Sequence, residues 1–169
     1  MSCIIQRDNN AQDLGKYPLE GGEPIVLIDD LIVGYHAWLD DMNLLLFVLG
    51  DPQTLQAYHL PSKTGTIVAT KIGRSLHRIP NLNAISYVDK SDESSWKIMK
   101  YNQRDEITMI AETLPGREDL AWTPDGRIVM SDGERLFWFN QESSKWTPVK
   151  MNATLKGVTR LAISSDGKK

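Results

Sequence analysis

Apolar residues along this chain fall in short runs separated by Gly, Asp, Asn, Ser and Pro, and no stretch sustains a helical period. The most apolar run, Leu44 to Leu49, has the length of a buried strand. Ala84 to Val88 and Ile128 to Met130 have the same character. A second kind of run ends on an aromatic: Leu14 to Tyr17, Leu55 to Tyr58, Ile98 to Tyr101 and Leu136 to Phe139. A third kind, Thr66 to Ala69 and Ile107 to Ala111, mixes β-branched and small residues. Alternation of this sort suits pleated sheet, so the pattern predicts a chain that is almost entirely β.

The runs recur in a fixed order. Four segments share one pattern: 34–39 (GYHAWL), 75–80 (SLHRIP), 118–123 (EDLAWT) and 159–164 (TRLAIS). Their third positions are His36, His77, Leu120 and Leu161, at spacings of 41, 43 and 41 residues. That period belongs to a blade of four antiparallel strands, so the expected fold is a β-propeller with about four blades present. Each unit runs from a patterned first strand, through an apolar second strand and an aromatic-ended third, to a fourth. The expected divisions are a partial blade at 2–29, blades at 30–70, 71–111 and 112–150, and the first strand of a further blade at 151–169.

The turns carry their own chemistry. Pro124-Asp125-Gly126 and Ser165-Asp166-Gly167 place Gly where a tight hairpin needs positive φ. The two preceding units have Asp40-Asp41-Met42-Asn43 and Asn81-Leu82-Asn83 instead. The pattern opens on a second strand, Cys3 to Gln6, and stops in the turn after a first strand. It describes either part of a larger ring or a ring sealed by its last strand, and an open ring would self-associate through bare blade faces.

Composition narrows the function classes. The 169 residues are 41% hydrophobic and 24% charged, with net charge -3. Such a balance gives no basic footprint, so no nucleic-acid partner is expected. No run is long enough to insert in a membrane. The single cysteine, Cys3, excludes an internal disulfide and a thiolate cluster. The opening residues lack the basic region and long apolar core of a secretory signal.

The stretches 120–127 (LAWTPDGR) and 161–168 (LAISSDGK), with 16–24 (KYPLEGGEP), resemble the WD40-like repeat of TolB-type propellers. More narrowly, 34–38 (GYHAW) and 73–80 (GRSLHRIP) are similar to exported TolB-like proteins of Bacteroidetes-type bacteria. The resemblance spans nearly the whole chain. It implies a six-bladed parent ring, a periplasmic or extracellular location and no settled activity. Blade motifs specify fold far better than function.

Candidate chemistry sits where successive first strands would converge on the channel rim. Those positions hold Tyr35, His36, Arg74, His77, Arg117, Glu118, Asp119 and Arg160. His36 and His77 share a repeat position, so they either share a ligand or pack between blades. Glu118 and Asp119 either complete an open metal site or pair with Arg74 and Arg160. Trp38 and Trp122 are equivalent and read as core; Trp96, Trp138 and Trp146 are candidates for an exposed partner surface. No nucleophile elbow, phosphate loop or HExxH is present, and no cofactor is expected. The leading expectation is a non-catalytic scaffold for a protein or peptide partner. The alternative is a hydrolase or lyase with a polar, metal-binding site at the channel mouth.

Overall fold

The computed structural model of the protein describes residues 1–164. Among these residues there are fifteen strands and no helix, arranged as four antiparallel sheets. The chain divides into two compact units, Met1–Ile72 and Gly73 onward.

The first unit holds β1 (Ser2–Gln6), β2 (Gln12–Lys16) and β3 (Ile25–Ile28), paired in chain order as a three-stranded sheet. It also holds a four-stranded sheet of β4 (Val33–Trp38), β5 (Asn43–Val48), β6 (Thr54–His59) and β7 (Thr64–Thr70). The second unit contains two four-stranded sheets. One is β8 (His77–Arg78), β9 (Ala84–Asp89), β10 (Lys97–Asn102) and β11 (Ile107–Glu112). The other is β12 (Leu120–Trp122), β13 (Ile128–Ser131), β14 (Leu136–Asn140) and β15 (Lys145–Pro148). Within each sheet the strands pair in chain order, so the connections inside a sheet are all hairpins.

Burial explains the three kinds of run. β5 and β9 are buried on both faces over nearly their whole length, which is why they read as continuous apolar stretches. The last strand of each sheet is its most exposed. Side chains on facing sheets close one core in each unit. Leu14, Ile28, Val33, Leu44, Leu46, Val48 and Tyr58 form the first; Val88, Ile98, Leu120, Ile128, Met130 and Phe139 dominate the second. Each such Leu or Ile removed from water stabilises its unit by about 1.5–3 kcal/mol.

The turn after each first strand meets one geometric requirement by three means. In Thr123–Arg127, Gly126 takes φ 85° and donates its N–H to the Thr123 carbonyl, while the Thr123 hydroxyl bonds the Asp125 carboxylate. The turn after β4 has no glycine. There Asp40 Oδ1 accepts the backbone N–H of Met42 (2.9 Å) and of Asn43 (2.8 Å). The turn after β8 puts Asn81 at φ 60°, a region asparagine tolerates better than other residues with a Cβ.

One expected strand is missing. Thr159–Ser164 form no strand. In each complete unit the first strand is held by the second strand that follows it, and no strand follows Thr159–Ser164 among the described residues. The turn Ser165-Asp166-Gly167 lies outside the described residues.

Candidate functional site

Tyr35 and His36 belong to the first unit; Arg74, His77, Arg117, Glu118, Asp119 and Arg160 belong to the second. Each group has a defined setting within its own unit.

In the first unit β4 pairs Tyr35 with Phe47 of β5, and the two rings meet edge to face at 5.7 Å. His36, half-buried, lies with Nε2 2.9 Å from the Ser2 hydroxyl of β1. The indole N–H of Trp38 donates to that same oxygen at 2.9 Å. Burial pushes the His36 imidazole below its ordinary pKa. Ser2 therefore ties the three-stranded sheet to the first strand of the next.

The second unit repeats this joint with different partners. His77 Nε2 lies 2.9 Å from Ser75 Oγ, and Ser75 Oγ accepts the Leu120 N–H of β12 at 3.2 Å. Burial again pushes the imidazole down, against an opposing pull from a hydrogen bond to the Leu120 backbone and from the Asp119 carboxylate. The indole of Trp122 donates to Ser86 Oγ of β9 at 2.8 Å. Trp38 to Ser2 and Trp122 to Ser86 are both separations of 36 residues. Both tryptophans are half-buried and spend their one polar atom on the joint.

The charged residues gather around Asp119 and Glu118 on the segment leading into β12. Arg74 grips Asp119 with two parallel bonds, Nη2 to Oδ2 at 2.8 Å and Nε to Oδ1 at 3.2 Å. Its Nε also lies 3.5 Å from Glu118 Oε1. Lys90 Nζ reaches Glu118 Oε2 at 3.0 Å, and Arg160 Nε stands 3.7 Å from Asp119 Oδ1. Gly73 allows this approach, since a Cβ there would meet Glu118 Oε2 at 3.0 Å. Arg117 donates to the Asp132 carbonyl and covers Gly133. Together Arg74, Arg117, Glu118, Asp119, Ser131 and Thr159 line a cavity of about 170 Å³.

The carboxylates therefore pair with Arg74, Lys90 and Arg160, and the described residues contain no group of three or more His, Cys, Asp and Glu able to hold a metal ion. The Ser75 hydroxyl has a base beside it, yet Ser75 is only 6% exposed and does not line the cavity. Lys90, Ser2 and Ser86 escaped the sequence reading. The constant Trp-to-Ser separation was the signal that could have found the two serines. Trp96, Trp138 and Trp146 are half-buried rather than exposed: Lys90 sits 4.1 Å over the Trp96 ring, Arg127 5.6 Å over Trp138, and Trp146 donates to the Glu112 carbonyl.

Meander sheets of this kind define an all-β blade protein. The fold is that of the TolB-type β-propeller. The chain is similar to TolB from Acinetobacter baumannii, with TM-score 0.70 and 10% identity over 99% of this chain and 45% of that one. It is similar also to a putative TolB from Agrobacterium tumefaciens, with TM-score 0.71 and 13% identity over 98% of this chain and 66% of that one. An oligogalacturonate lyase solved in complex with manganese matches with TM-score 0.61 and 18% identity, over 80% of this chain and 41% of that one. The chain spans less than two thirds of each of these proteins. No protein-family model matches it, and no curated protein matches it in sequence.

Proposed function

We propose that the chain is part of a non-catalytic propeller scaffold, acting in the periplasm or outside the cell, that binds an acidic segment of a protein partner at the charged cavity ahead of β12. The observation that carries this reading is the charge count of the cluster around the segment leading into β12. Three cations, Arg74, Lys90 and Arg160, pair with two carboxylates, Glu118 and Asp119, and a fourth, Arg117, lines the same cavity as Arg74. The neighbouring Asp132 carboxylate is engaged by Arg135. A partner carboxylate entering there meets a surplus of positive charge that needs no reorganisation of the fold. The TolB likeness supports the exported location.

Fluorescence anisotropy with a labelled short poly-glutamate peptide tests the site. Binding should weaken with salt and be lost in the double variant Arg74→Glu, Arg117→Glu, and a poly-lysine peptide should not bind. Equal binding of both peptides, or none, would sink the reading. A hydrolase or lyase around the same cluster is the second reading, supported by the manganese-bound lyase among similar structures. Calorimetric titration with manganese separates the two. Binding that disappears in Glu118→Gln with Asp119→Asn favours the enzyme.

A further inference from the structure

Among the described residues, the last strand of each sheet presents a row of backbone groups with no partner strand on its outer side. Two of these edges are short, and a third is bounded by carboxylates. β3 has four residues between Pro24 and Asp29; β15 has four, including Lys145 and Pro148; β11 ends on Glu112 and follows Asp105 and Glu106. β7 differs. It is the longest strand among the described residues at seven residues, Thr-Gly-Thr-Ile-Val-Ala-Thr, with neither charge nor proline. Ile67, at its centre, is 60% exposed. The pairing with β6 slips once, at Val68, and leaves Thr64–Ile67 as an uninterrupted run.

The ends of this edge are marked. Lys63 and Lys71 bracket the strand, both exposed, both turned out of strand geometry at φ 51°. They decide between occupants. A second copy of β7 paired antiparallel about Ile67 would match Thr64 with Thr70, Gly65 with Ala69 and Thr66 with Val68. It would also set Lys63 of each copy against Lys71 of the other, and like charges directly opposite are destabilising. An extended segment with an uncharged β-branched centre and a carboxylate at each end meets the same row of backbone groups and neutralises both lysines.

We propose that β7 is a docking edge that accepts such an acidic-ended peptide as an added strand, through backbone hydrogen bonds along Thr64–Thr70 and ion pairs at Lys63 and Lys71. This edge shares no residue with the cavity ahead of β12, so either site can fail alone.

The probe is a synthetic peptide of about nine residues, long enough to span both lysines, alternating Thr and Val with Glu at each end. Hydrogen exchange of the whole chain reads the result. At saturation the Thr64–Thr70 amides should slow by about tenfold, while exchange around Arg74 and Asp119 is unchanged. The same peptide with Lys at its ends should give no protection. The double variant Lys63→Glu, Lys71→Glu, which touches no packed residue, should reverse that preference. Protection equal for both peptides, or protection of neither, overturns the proposal. So does protection of β7 that rises with protein concentration alone, since a second copy would then be the occupant.

Discussion

His36 and His77 stand at one position of the repeat, and each is held by a serine hydroxyl that already accepts another N–H. With Oγ accepting from Trp38 or from Leu120, the serine proton is free to go to imidazole Nε2, which suits the neutral ring. A protonated ring would have to donate to that oxygen, leaving the serine proton to find a new acceptor inside the joint. Both imidazoles are pushed down from 6.5 chiefly by burial, with Asp119 the charged group opposing the shift at His77. Below pH 6.5 the unfolded chain therefore takes up protons that the folded chain refuses, so stability falls with falling pH across that range. Thermal melts at pH 7.5 and 5.5 should show a lower Tm at the acid value. Replacing both histidines with Asn should flatten that difference; an unchanged slope would mean that other groups carry it. The histidine repeat was legible in the chain, but the serine partners were not, because hydrogen-bond partners on another sheet leave no local pattern.

At the scale of the element, the turns show how differently two glycines can matter. Gly126 and Gly133 both lie at positive φ, 85° and 109°. A Cβ on Gly126 would meet nothing within 4 Å, whereas one on Gly133 would meet Arg117 Nη2 at 2.9 Å. Gly126→Ala should therefore cost only the backbone penalty, about 1–2 kcal/mol. Gly133→Ala should cost more, at the upper end of about 1–3 kcal/mol, because it also displaces Arg117 from the Asp132 carbonyl. Urea denaturation of the two variants checks the order. Turn chemistry explains why the sequence pattern stayed in register without an Asp-Gly pair after β4 and β8. A side-chain carboxylate at Asp40 and a left-handed Asn81 meet the same need. It also bears on Thr159–Ser164, whose residues fit a first strand. Strand formation needs a ladder partner, and no strand pairs with that segment among the described residues.

For the whole molecule, the two cores share no residue. Leu46 is fully buried in the first, so Leu46→Ala should cost about 2–5 kcal/mol. Hydrogen exchange should record the loss first among residues 1–72, with Val88 and Ile98 in the second core less affected; uniform loss across the chain would show a single cooperative unit. Composition and period alone sufficed for the all-β fold, the order of strands and the position of most turns, because alternation and burial act over a few neighbouring residues and repeat every 41 to 43. They also brought the charged residues ahead of β12 into view. Which of those charges pair was settled only by the tertiary structure. Arg74 and Asp119 lie 45 residues apart, and only the stacking of one sheet beside the next closes that distance to 2.8 Å. The same holds for the edge of β7: its uncharged run is visible in the chain, but an edge exists only once the other side of the strand has been paired.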